Sequence, residues 1–192
     1  MATAKARSGT AAHGRGAAGE RGAARESEAA PAAGAGSILG FDPGTQATGW
    51  GAVTPRRKPA MAGCGVIRPP RGAPLEKRLE VIYTQARELI RRFRPAAVAV
   101  EDPFVGKSVS SALALGQARG VLLLAAAREE VPLASYSPRA IKMAVVGRGS
   151  ASKEQVQFML QRLLGLREPP APLDASDALA VALCHMHRGT GR

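Results

Sequence analysis

Aspartate is scarce in this chain: Asp42, Asp102, Asp174 and Asp177 are the only four in 192 residues, so the position of each is informative. Cysteine is scarcer still. Cys64 and Cys184 stand far apart in apolar surroundings, which excludes a disulfide scaffold or a cysteine zinc site and fits reduced thiols inside an intracellular protein. No uncharged apolar run reaches the roughly 18 residues that a membrane-spanning helix needs, and no membrane partner is expected.

Residues 1–36 contain no Phe, Trp or Tyr, and they are dominated by 14 Ala and 7 Gly. Such a segment cannot bury a core. It also lacks the continuous apolar centre of a secretory signal, and its glutamates and glycines are unlike an organelle transit helix. A disordered extension over 1–36 is therefore expected, followed by one domain over 37–188 and a short tail over 189–192. The chain carries 27 basic and 15 acidic residues, of which the extension holds 5 and 3, leaving 22 against 12 in residues 37–192. The positive excess thus belongs to the folded part and points to a polyanionic partner.

From Ser37 the pattern predicts three short strands joined by tight turns (Ile38 to Phe41, Gly49 to Thr54, Met61 to Ile67), an antiparallel meander. Helical spacing of Leu75, Leu79, Ile82, Ala86, Leu89 and Ile90 or Phe93 predicts a helix over Pro74 to Phe93, stopped by Pro95. The run AAVAVED, Ala96 to Asp102, reads as a parallel strand buried on both faces. A long helix (Ser108 to Glu129), a short strand (Pro132 to Tyr136) and three helices (Pro138 to Val146, Ser152 to Leu164, Leu173 to His187) complete the chain. The fold class this implies is α/β: a five-stranded mixed sheet flanked by helices, with functional residues at the carboxyl ends of the parallel strands.

Asp42 ends the first of these strands and Glu101 ends the fourth, while Asp174 and Asp177 stand three apart at the start of the last helix and share one side of it. If the first and fourth strands are neighbours, all four acids meet at one edge. Alone, Asp42 could open the DPG turn and the helix pair could serve as cap and dipole partner; Glu101 has no such local task. Four carboxylates held together repel and titrate high, and divalent cations relieve this. Oxygen-only ligands suit Mg²⁺ or Mn²⁺, and paired ions can hydrolyse a phosphodiester. Asp102 is excluded from the cluster, since consecutive strand residues point to opposite faces; it is expected to cap the turn at Pro103.

Four blocks, ILGFDPGTQATGWGAV (Ile38 to Val53), VAVEDPFVGKSVSSALALGQARGVLL (Val98 to Leu123), PRAIKMAVVGRGSASKEQVQ (Pro138 to Gln157) and DASDALAVALCHMH (Asp174 to His187), resemble the RuvC family of Holliday junction resolvases. The resemblance implies an RNase H-like fold and a homodimer. It implies Mg²⁺-dependent nicking of opposite strands at a four-way DNA junction, with Mn²⁺ able to substitute and two ions per active site. Asp42, Glu101, Asp174 and Asp177 correspond to the catalytic, metal-binding acids. Phe104 matches a ring that stacks on the opened junction, consistent with base stacking on an exposed aromatic. Lys107 follows on the same loop, where a cation could contact a scissile-strand phosphate or offset the acidic cluster, and Lys142 and Lys153 match lysines that face the DNA backbone. A branch-migration helicase partner and a cytoplasmic, nucleoid-associated location in a bacterium are implied as well. Ser108, Pro69 and Pro70 depart from the family pattern, which commonly has asparagine, arginine and threonine there.

Gly44 and Gly49, flanking the turn after Asp42, are expected to let the backbone approach metal or phosphate. Gly116 and Gly120 interrupt a helix at a cost of roughly 1 kcal/mol each, which close packing on the sheet or on a dimer partner would explain. His185 and His187 are read as surface or helix-end residues. Three alternatives stand beside the resolvase reading: another RNase H-like nuclease acting on RNA or flaps, an ATP-binding protein of the actin and sugar-kinase type suggested by the D-x-G-T turn, and a non-catalytic DNA binder.

Overall fold

Five short apolar stretches become the strands of one sheet: β1 (Ile38–Asp42), β2 (Thr48–Thr54), β3 (Ala60–Ile67), β4 (Ala97–Glu101) and β5 (Leu133–Tyr136). The computed structural model describes residues 36–102 and 109–189. Strand order is β3-β2-β1-β4-β5; β1/β2 and β2/β3 are antiparallel, whereas β1/β4 and β4/β5 are parallel. The expected mixed sheet is the one observed. Among the described residues five helices cover it: α1 (Leu75–Phe93), α2 (Val109–Arg128), α3 (Pro138–Val146), α4 (Lys153–Leu164) and α5 (Leu173–Gly189). α5 runs through Gly189, one residue into the stretch read as a tail.

Alternation along β1 and β4 splits their side chains between two cores. Leu39, Phe41, Val98 and Val100 are buried with α1 and α2, each such side chain contributing about 1.5–3 kcal/mol by leaving water. Ile38, Ala97 and Ala99 are buried with α3, α4 and α5 on the other face. Small residues on this second face let a helix come close to the sheet. A Cβ on Gly40 would collide with the Ala178 carbonyl and the Ala182 amide, and a Cβ on Gly49 with the Asp174 carbonyl.

Those contacts correct the reading of Gly49. Its missing side chain admits the first turn of α5, not a metal or phosphate. Gly44 likewise serves its own turn, where a side chain would meet the Ala47 carbonyl and the Thr48 hydroxyl donates to the Gly44 carbonyl at 2.7 Å. Gly116 and Gly120 do not pack on the sheet: among the described residues nothing lies within 4 Å of where their side chains would be. The α2 face they occupy also carries exposed Val109, Leu113 and Leu124.

Helix ends follow local chemistry. Ser137 caps α3 ahead of Pro138 at its first position. Ser152 and Gln155 form a reciprocal capping box on α4, with 3.3 Å from the Gln155 amide to the Ser152 hydroxyl and 3.0 Å from the Ser152 amide to the Gln155 side chain. α1 ends where Arg94 turns left-handed (φ 42°), its amide returning to the Ile90 carbonyl, just ahead of Pro95.

Candidate active site

Two parallel strands and one helix bring the acids together. The β1/β4 register pairs Phe41 with Val100, so Asp42 and Glu101 are the next residues on adjacent strands and emerge from the same face. That face is the one α5 covers. Because Gly40 and Gly49 let α5 settle against β1 and β2, its first turn delivers Asp174 and Asp177 to the same sheet edge.

Electrostatics record this proximity. Burial, then repulsion from Glu101, Asp177 and Asp174, pushes the Asp42 carboxyl up from 3.8 to about 8. Burial and Asp177 push Glu101 from 4.5 to about 7. A carboxyl raised this far is poised to give up its proton when a cation arrives. Asp42, Glu101 and Asp177 line one cleft of about 260 Å³ together with Lys142 and Lys153. Asp174 lies at its margin, felt by Asp42.

Lys153 and Lys142 are both in the cleft, but differently engaged. The Lys153 ammonium sits 2.9 Å from Asp177 Oδ2. Lys142 is half-buried, and its charge opposes the upward shift of Glu101. No three acidic, histidine or cysteine side chains among the described residues stand close enough to hold one ion as they are. The donor chemistry nevertheless fits a hard divalent cation: carboxylate oxygens only, half-buried, with two of the carboxyls raised by burial and by each other.

Asp102 stays out of the cluster, as its strand position requires. The turn at Pro103 that it is expected to cap lies outside the described residues; its carboxylate pairs with Arg119 of α2 at 3.3 Å. Phe104 and Lys107 also lie outside the described residues. His185 is half-buried, not a surface group: its Nδ1 is 2.9 Å from the Tyr136 hydroxyl, and burial holds its pKa below the ordinary value. His187 is exposed, with Nδ1 3.1 Å from the Ala144 carbonyl. Among the described residues a larger cavity, about 520 Å³, opens over Trp50, Phe93 and Arg167 near β3. None of the four acids lines it, so cavity size does not locate the chemistry here.

The Lys153–Asp177 pair is what reading the sequence missed. The partners are 24 positions apart on different helices, and no local pattern links them. The S-x-x-Q capping signature does place Lys153 at the very start of α4; only the tertiary fold aims it at α5.

Comparison with known proteins follows the same boundaries. The family model for the crossover junction endodeoxyribonuclease RuvC matches residues 38–185. A RuvC of Moorella thermoacetica is 52% identical over 151 residues, covering 77% of this chain and 89% of that protein. The Chlorobaculum parvum RuvC is 46% identical over 153 residues, covering 79% and 82%. Among solved structures, Thermus thermophilus RuvC in complex with a Holliday junction substrate superposes with TM-score 0.76 at 36% identity, covering 80% of this chain and 94% of that one. With an RNase H-like sheet, acids at its carboxyl edge and relatives matched along nearly their full length, the chain belongs to the RuvC family of crossover junction endodeoxyribonucleases.

Proposed function

We propose that the chain resolves four-way DNA junctions by paired, metal-dependent hydrolysis of phosphodiesters on opposite strands, in recombination and repair. The observation that carries this reading is the convergence of Asp42, Glu101 and Asp177 in one cleft, with Asp174 at its margin, inside a net-basic domain. Family membership and the junction-bound Thermus relative support the choice of substrate.

In this reading the four carboxylates hold Mg²⁺, or Mn²⁺ in its place, two ions to a site. Metal bound there supplies an activated water and charge stabilisation for the leaving oxygen. Asp42 and Glu101, fixed on adjacent strands, set the spacing of the donor oxygens. Asp174 and Asp177 close the site from the helix above. Lys142 and Lys153 line the side from which a phosphate would approach, where an ammonium acts as a point charge on the DNA backbone. Phe104 and Lys107, on the segment between β4 and α2, are assigned to stacking on the junction and to a phosphate contact.

Cutting two strands symmetrically calls for two such sites related by a twofold axis. The open face of α2 suits a second copy. Val109, Leu113 and Leu124 are 83%, 64% and 50% exposed, and with Gly116 and Gly120 they recur at helical spacing along one stripe. A branch-migration helicase partner and a place in the bacterial cytoplasm at the nucleoid accompany this reading.

The test is cleavage of a synthetic four-way junction beside linear duplex, flap and RNA:DNA hybrid of matched sequence, with Mg²⁺. Junction cutting that far exceeds the other three supports the reading. Equal cutting of all four overturns the junction-selective claim.

A further inference from the structure

Lys153 stands in an unfavourable place for a cation. It is the first residue of α4, directly after the Ser152 cap, where the helix presents its positive end and acidic side chains are preferred. The neighbouring Glu154 obeys that preference; Lys153 does not. Its charge is instead directed across to α5, 2.9 Å from Asp177 Oδ2.

That single ammonium is felt by the whole cluster. Its own pKa is raised by hydrogen bonding and charge from Asp177, and further by Asp42 and Asp174, while it counters the upward shift of Glu101. The two partners differ in exposure, 61% for the lysine side chain and 22% for the aspartate. The mostly exposed lysine side chain is therefore freer to swing into solvent than the aspartate, which is held by α5. In this arrangement, with the ammonium at Asp177, no three acids among the described residues stand close enough to hold one ion.

We infer that the Lys153 ammonium is the resident counter-cation of the metal-free cluster, seated at Asp177 and displaced toward the DNA side when a divalent ion binds. This rests on the reading of the four acids as a metal centre. Displacement couples two events: the arriving ion takes the carboxylate, and the released ammonium becomes available to a phosphate. By linkage, metal and DNA then favour each other's binding through this one residue. Lys142 shares the cleft but forms no ion pair with a described acid, so it supplies the control for a general charge effect.

The experiment is calorimetric titration of Mn²⁺ into the intact, DNA-free protein, with melting temperatures measured in parallel, for wild type, Lys153→Met, Lys153→Arg, Lys142→Met and Asp177→Asn. The expected result is Mn²⁺ affinity at least about fivefold tighter in Lys153→Met, a smaller change in Lys142→Met, and near-wild-type affinity in Lys153→Arg. Lys153→Met should also melt lower without metal and gain more from Mn²⁺ than wild type. Mn²⁺ affinity in Lys153→Met that is unchanged, weaker, or no tighter than in Lys142→Met overturns the inference. If that occurs while Asp177→Asn abolishes binding, the metal centre stands and the displacement alone fails. If wild type does not bind Mn²⁺, or Asp177→Asn binds it like wild type, the underlying reading fails with it.

Discussion

Asp42 and Glu101 end two hydrogen-bonded parallel strands at the same level, one residue beyond the Phe41–Val100 pair of the β1/β4 register. Both side chains therefore leave the sheet on the face covered by α5, and the backbone of each is held by a neighbouring strand, Asp42 opposite Gly49 and Glu101 opposite Tyr136. Two acids so placed are costly in a metal-free protein, and their raised pKa values express that cost.

This has a consequence for stability against pH. The folded chain holds protons on Asp42 up to about 8 and on Glu101 up to about 7, against 3.8 and 4.5 ordinarily. Between those limits it binds more protons than the unfolded chain, so the stability these groups contribute is complete below about pH 4 and lost as pH rises through 7 to 8. Urea unfolding without metal should show that decline. Asp42→Asn should flatten it, and Mg²⁺ should restore more stability at about pH 8.5 than at about pH 6. A metal-free protein whose stability rises across this window in step with Asp42→Asn would contradict the assignment.

The docking of α5 depends on the absence of side chains beneath it. Gly40→Ala forces a Cβ into the Ala178 carbonyl and the Ala182 amide, backbone atoms that cannot rotate aside. A loss of about 1–3 kcal/mol is expected from urea midpoints, with a fall in cleavage because Asp174 and Asp177 ride on the same helix. Wild-type stability and rate in this variant would show that α5 is not seated so tightly.

Most of this architecture was legible in the sequence because it is written in local signals. The apolar run ILGF, the buried run AAVAV, the helical spacing from Leu75 to Phe93 and the Pro95 stop each act within a few residues. The cluster itself was legible because Glu101 had no local task and the three other acids, each with a local task open to it, stood at compatible element ends. What stayed hidden depends on contacts between distant segments: Gly49 against α5, Asp102 against Arg119 and Lys153 against Asp177. For Gly49, the chemistry of glycine fixes that something comes close but not what. A backbone approach reads identically whether the visitor is a helix or a phosphate.

The stripe on α2 gives a prediction about assembly. Leu113→Glu with Leu124→Glu places two charges on the face proposed to meet a second copy, leaving the single-chain core untouched, since both side chains are at least half exposed. Sedimentation should show a dimer in wild type and a monomer in the double variant, with paired incision of a junction lost. A double variant that stays dimeric would place the contact elsewhere, and a strictly monomeric active wild type would remove it altogether.

Whether Asp42, Glu101, Asp174 and Asp177 act as one metal-binding cluster is decided by single-turnover cleavage of a four-way junction with Asp42→Asn, Glu101→Gln, Asp174→Asn and Asp177→Asn, each paired with a binding measurement on the same DNA. Every variant should lose at least about 100-fold in Mg²⁺-dependent rate while binding the junction as tightly as wild type or tighter, because each removes a negative charge near phosphate. Near-wild-type rates in two of the four would contradict the account.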